Sequence, residues 1–151
     1  MTSNKIITNR NKILEVVKQD GAALEYASDS LKADREVVLE AVKNLGQKLW
    51  HERRYDAFEY ASDSLKADRE VVLEVVKLDG DVLQEVSKEL QNDKEIVLEA
   101  VKHSGNALEY ASKNLKNDKE VVLEAVKSDE RAIAFASKNL KSDKDIKSVI
   151  S

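Results

Sequence analysis

A single period governs this chain. Asp68, Asp93, Asp118 and Asp143 each open a D-[KR]-[ED] string and stand 25 residues apart; Asp34 opens the same string one repeat earlier. Asn9 holds that register one repeat before Asp34. The repeats therefore run 9–33, 34–67, 68–92, 93–117 and 118–142, followed by a partial 143–151, within one domain spanning 1–151. The second repeat is nine residues longer than the others. Residues 25–43 and 59–77 agree at eighteen of nineteen positions, differing only at Ala41 and Val75, which marks a late internal duplication. A repeat this short cannot bury an apolar face alone, so copies must stack on one another.

Each repeat reads as two short helices. The first is DREVVLEAVK, as in 34–43. Asp34 suits an N-cap, where its carboxylate accepts from the first free backbone N–H groups. Glu36 in the first turn and Lys43 in the last complement the helix dipole. At about 100° per residue, Val37, Val38, Leu39, Ala41 and Val42 sweep about twice the arc that a surface helix buries. So wide a stripe implies neighbours on several sides. A glycine follows at Gly21, Gly46, Gly80 and Gly105, with Glu130 in the same column of the fifth repeat. Glycine at that place predicts a helix stop in the left-handed conformation. The second helix is ALEYASDSLK, as in 23–32, with Ala23, Leu24, Ala27 and Leu31 inward. The predicted fold is all-α: an α-solenoid of five two-helix repeats, ten short helices and a trailing partial turn, in a right-handed superhelix. Lys12 replaces the column of Val37, and Lys147 and Ser148 stand where other repeats have Val and Leu. These read as polar end caps of a nearly complete array.

The strings VLEAVK, ALEYAS and LKNDKEVVLEAVK resemble the repeat family catalogued as domain of unknown function 4116. The resemblance covers about residues 9–146. It implies an α-helical repeat and no assigned activity. It transfers no catalytic residue, and it does not explain the insertion in the second repeat.

Composition narrows the function classes. The chain has no Cys, so it has no disulfide, thiolate metal site or Cys nucleophile. Charged residues make up 36% with a net charge of -4, which argues for solvated helix faces and against nonspecific binding to nucleic acid or anionic membranes. The N-terminal MTSNKIITNRNK lacks the apolar run of a signal peptide. No stretch approaches the roughly 20 apolar residues of a membrane span. The expectation is a cytoplasmic protein, or one delivered into a host cytosol, that does not bind membranes.

Repetition also weakens most catalytic readings. The aspartates at 34, 68, 93, 118 and 143 recur about a helix diameter apart, too far to share an ion, and read as caps. Glu15, Glu40, Glu74, Glu99 and Glu124 have the same neighbours in every copy and read as a solvated face. Ser28, Ser62, Ser87, Ser112 and Ser137 read as small packing residues, because a nucleophile would be unique. His51 and His103 belong to no metal-ligand spacing. No catalytic residue, metal site or cofactor is expected. An enzyme would need a composite site that no motif reveals.

What remains is where the repetition fails. Residues 47–56, QKLWHERRYD, hold the only Trp, a His, two Arg and a Tyr. Trp, Tyr and Arg are enriched at binding hot spots. Either the second helix begins early and carries Trp50 and Arg54 on an uncovered stripe, or a loop tucks Trp50 under its neighbour. The aromatic column Tyr26, Tyr60, Glu85, Tyr110, Phe135 lies at the border of the buried stripe and either packs over a neighbour or lines a binding face. The column Asp29, Asp63, Lys88, Lys113, Lys138 reverses sign after the second repeat. The expected function is a non-enzymatic protein–protein interaction module, in its sharper form a small inhibitor or effector of a larger machine. Its partner-binding residues would be Trp50, His51, Arg53, Arg54, Tyr55, Tyr60, Tyr26 and Tyr110, with a homodimer through 47–60 as one form of contact. The alternative is a nucleic-acid binder that stacks bases on Trp50 beside Lys48, His51, Arg53 and Arg54.

Overall fold

The computed structural model describes residues 5–44 and 57–150. These residues build an all-α fold, with one isolated bridging pair, Ile7 with Ala27. The chain divides into two compact units, Met1–Val71 and Val72–Ser151. The first holds α1 (Arg10–Gln19), a 3₁₀ helix (Gly21–Tyr26), α2 (Asp29–Lys32), α3 (Arg35–Lys43), a 3₁₀ helix (Ala57–Tyr60) and α4 (Asp63–Lys66). Helix α5 (Arg69–Leu78) contains the division. The second unit continues with 3₁₀ helices Gly80–Glu85 and Leu90–Asn92, α6 (Lys94–His103), a 3₁₀ helix (Gly105–Tyr110), α7 (Lys113–Lys116) and α8 (Lys119–Ser128). It closes with a 3₁₀ helix (Glu130–Phe135), α9 (Lys138–Lys141) and α10 (Lys144–Val149).

Each unit has two layers. In the first, α1 packs on α3, and Gly21–Tyr26 packs on Ala57–Tyr60. In the second, α6, α8 and α10 pack in succession, as do the 3₁₀ helices 80–85, 105–110 and 130–135. The wide apolar stripe is explained by this arrangement. Val37, Val38, Ala41 and Val42 are buried, as are their counterparts Val121, Val122, Ala125 and Val126, while Leu39 is half-buried at the edge. The α layer meets neighbouring α helices as well as the 3₁₀ layer, so two adjacent pairs per helix must be apolar. Lys12, Lys147 and Ser148 are exposed.

The aspartates cap as expected. Oδ1 of Asp34 accepts from the N–H of Val37 at 3.1 Å, Asp93 from Ile96 at 3.2 Å, Asp118 from Val121 at 3.2 Å and Asp143 from Ile146 at 3.2 Å.

Two local expectations are corrected. The second helix of each repeat is not continuous. Ala23, Leu24, Ala27 and Leu31 are buried as predicted, but they lie on a 3₁₀ helix, an extended pair and a one-turn α helix. Ala27 has φ -73°, ψ 152° and Ser28 φ -65°, ψ 161°, both extended. The break frees a backbone donor for the preceding repeat. Ser62 N–H donates to the Lys32 carbonyl at 2.8 Å, Ser112 to Gln91 at 3.0 Å and Ser137 to Lys116 at 2.9 Å. In a continuous helix that N–H would serve the residue four positions earlier in its own chain. The serine side chains also act. Oγ of Ser62, Ser112 and Ser137 accepts from the N–H three residues on, at 3.3 Å in each case, capping the short helix. The hydroxyls of Ser112 and Ser137 donate to Asn92 and Asn117 at 2.6 and 2.7 Å. These serines thus cap and cross-link, which a passive small packing residue does not do.

The glycine column is the second correction. The backbone at Gly21, Gly80 and Gly105 stays out of the left-handed region. What excludes a side chain there is the next repeat. An added Cβ would stand 1.9 Å from the Ala41 carbonyl oxygen at Gly21, 2.2 Å from that of Ala100 at Gly80 and 2.3 Å from that of Ala125 at Gly105. The glycine N–H is satisfied across the same junction, by the Asn44 carbonyl at 2.9 Å, His103 Nδ1 at 3.2 Å or Ser128 Oγ at 3.1 Å respectively. Gly46 lies outside the described residues. Glu130, the side-chain-bearing member of the column, is exposed.

Candidate functional site

The D-[KR]-[ED] string does more than cap helices. The basic residue of one repeat reaches both acids of the next. Arg10 pairs with Asp34 at 2.8 Å and also with Glu36. Lys94 lies 2.9 Å from both Asp118 and Glu120, and Lys119 lies 3.3 Å from Asp143 and also pairs with Asp145. The N-cap carboxylates of Asp34, Asp118 and Asp143 are therefore held twice, by backbone donors of their own helices and by a cation from the repeat before. The hydrogen bond from Arg10 holds the Asp34 carboxyl below its ordinary range. At Asp118 burial pushes the carboxyl up, but Lys94 and the Val121 N–H outweigh it and the net shift is downward. The string's fixed sign order carried this signal, but one repeat read alone hides it. The partners are 24 and 26 residues away, as for Arg10.

The glutamate column is mixed: Glu15 and Glu74 are exposed as expected, whereas Glu40, Glu99 and Glu124 are half-buried. Glu40 accepts from Asn44 Nδ2 at 3.0 Å, while Glu99 and Glu124 pair with Lys102 and Lys127 at 3.7 and 3.4 Å. Their side chains are part-shielded against the helix they stand on.

The aromatic column closes each 3₁₀ helix. Tyr26 is 40% exposed, and Tyr60, Glu85, Tyr110 and Phe135 are half-buried. Tyr26 and Tyr60 end 3₁₀ helices that pack together in the first unit, and Tyr110 ends one in the second. Burial, followed by the charges of Glu109, Asp81 and Glu85, pushes the Tyr110 hydroxyl up. The Tyr110 ring thus stands near the acids Glu109, Asp81 and Glu85. Trp50, His51, Arg53, Arg54 and Tyr55 lie outside the described residues. His103, the histidine within them, accepts the Gly80 N–H.

Among the described residues no three His, Cys, Asp or Glu side chains gather as metal ligands would, and no helix is long and apolar enough to cross a membrane. The family model described as "Domain of unknown function (DUF4116)" matches residues 9–66, 52–91, 68–116 and 118–147. The chain belongs to that family. Its four matches, the first three of them overlapping, follow the tandem repeat seen in the structure. No curated protein and no solved structure matches the chain.

Proposed function

We propose that this DUF4116 chain is a non-enzymatic protein-interaction module of the cytosol. One observation carries the reading. At a single register position, four of the five repeats present an aromatic ring at the rim of a helical layer, Tyr26 being 40% exposed, while the third repeat has Glu85 there. Tyr and Trp supply large contact area at little conformational cost, which suits them to protein contacts. Many of the repeat's recurring acids, by contrast, are taken up in caps and in ion pairs between repeats. The insertion at 47–56 adds Trp50, Arg53, Arg54 and Tyr55 to the candidate contact residues of the second repeat. An acidic helical-repeat chain of this kind suits a small inhibitor or effector that occludes a larger assembly.

The test is affinity capture from source-cell lysate with quantitative mass spectrometry, comparing the parent chain with Tyr26→Ser/Tyr60→Ser and with Trp50→Ala/Arg54→Ala. Circular dichroism checks the fold of each variant. The reading predicts a discrete set of proteins retained by the parent and lost by at least one folded variant. Nucleic acid recovered in their place, with binding that falls steeply as salt rises, would refute it. Sedimentation of the same proteins reports whether 47–60 joins two copies.

A further inference from the structure

Several basic residues of the second compact unit are committed to carboxylates. Lys94, Lys102, Lys119 and Lys127 all form ion pairs within it. Others have no partner among the described residues, and three of these share one register position. Lys88, Lys113 and Lys138 are exposed, and no hydrogen bond or ion pair engages their side chains among the described residues. Each follows directly on Ser87, Ser112 or Ser137, and the last two serines bond the preceding repeat through Gln91 and Lys116. The lysines therefore recur at one register position along stacked repeats. Lys116 and Lys141, in the last turns of α7 and α9, are likewise without partners and add charge to the same short helices.

Local stability does not explain the row. Lys113 and Lys138 sit in the first turn of α7 and α9, where the helix dipole favours an acid. The same position holds Asp29 in α2 and Asp63 in α4, so an aspartate fits the repeat. The later repeats carry lysine against that preference, in a chain whose net charge is -4. No contact among the described residues accounts for the lysines, and a row of like charge is complementary to a negatively charged partner.

We propose that Lys88, Lys113 and Lys138 form a docking row for an extended acidic segment of a partner protein. The inference rests on the reading that the repeat binds protein. It adds a second surface and the chemistry of what lies on it. Packed helical elements are spaced about 8–10 Å apart. An extended peptide advances about 3.3 Å per residue. One carboxylate at every third residue therefore matches one lysine per repeat. A duplex nucleic acid carries a charge about every 1.7 Å along its axis, far denser than this row.

The test uses the full chain and three fluorescent probes of comparable charge. They are a peptide repeating Glu-Ser-Ser, a peptide of the same composition with its glutamates contiguous, and an oligothymidylate. Anisotropy at low salt should show the spaced peptide binding roughly five- to tenfold more tightly than the contiguous one. Lys113→Gln/Lys138→Gln should lose most of that preference, since each surface pair contributes a few-fold. Lys127→Gln, which makes the same kind of charge change off the row, should keep it. The row lysines have no internal partner, so thermal unfolding of the double variant should match the parent. Equal binding of the two peptides, no binding of either, or tighter binding of the oligothymidylate overturns the proposal. These readings use purified protein and defined probes. A failure here is separable from a failure of the capture experiment, which scores the tyrosine and tryptophan variants.

Discussion

Gly105→Ala tests the stacking most directly. In an ordinary helix the change is mildly favourable, because alanine costs about 1 kcal/mol less backbone entropy than glycine. Here the new Cβ would stand 2.3 Å from the Ala125 carbonyl oxygen, 2.9 Å from the Asp129 backbone nitrogen and 3.0 Å from the Asp129 Cβ. The two closest obstacles are backbone, so no rotamer change relieves them. The repeats must move apart, and the bond from the Gly105 N–H to Ser128 Oγ at 3.1 Å must lengthen. Overpacking costs about 1–3 kcal/mol and a lost hydrogen bond about 1 kcal/mol. Set against the backbone gain, the net loss is about 2 kcal/mol. For a chain of this size that lowers the melting temperature by roughly 4–8 °C. Urea and thermal unfolding followed by circular dichroism measure it. Gly105→Asn separates the two explanations of the glycine. A left-handed stop would tolerate asparagine better than alanine, whereas a Cβ clash makes both equally damaging. Glu130→Ala, in the exposed member of the column, should stay within about 0.5 kcal/mol of the parent. A Gly105→Ala protein as stable as the parent, or an asparagine variant clearly milder than alanine, would refute the close-approach argument.

Further expectations concern the core and the caps. Leu108→Ala, at a side chain with no exposure, should cost about 2–5 kcal/mol in urea unfolding, and Leu90→Ala, at 8% exposure, should fall toward the lower end of that range. Asp118→Ala should cost about 0.5–2 kcal/mol through its lost cap, with Asp118→Asn recovering much of it because the amide oxygen still accepts from Val121. The carboxyls of Asp34, Asp118 and Asp143 titrate lower in the folded chain than when free. Their contribution is therefore full above the unfolded value of about 3.9 and is lost as pH falls through the folded values. Unfolding free energy should be flat near neutrality and drop below about pH 4; a rise there would contradict the ion-pair ladder. Asp129, held down to about 2 chiefly by its hydrogen bonds with Arg131, should be among the last carboxyls to protonate in a carboxyl-resolved NMR titration.

Helix position and core membership were legible because period and polarity report burial directly. Val37, Val38, Ala41 and Val42 could be placed inside from spacing alone, and the aspartate caps from their place before each apolar run. The break at Ala27–Ser28 was not legible. A buried residue every fourth place is what a continuous helix gives, and here 3₁₀, extended and one-turn segments keep the same residues inward. What decides between them is a donor that reaches another repeat, and a local window holds no trace of that. The glycine column was visible as a position but misread in cause, because the obstructing carbonyl lies 20 residues further on, as Ala125 does from Gly105. At the candidate site, the rim position of Tyr26, Tyr60 and Tyr110 followed from the edge of the stripe. The partnerless state of Lys113 and Lys138 needed coordinates, since sequence shows charge but not which charges are already engaged.

The serine rungs between repeats have an experimental use. Ser28 N–H bonds the Ile7 carbonyl at 2.9 Å, and Ser62, Ser112 and Ser137 bond the repeats before them in the same way. Ile7 stands 25 residues before Lys32, so the N-terminal segment supplies the rung's acceptor from the same register. Each such junction is thereby marked by one amide proton whose exchange with solvent requires that junction to open. Site-resolved hydrogen exchange at these serines would read the opening free energy of individual interfaces. Within each compact unit, those values would rank the junctions by how readily they open.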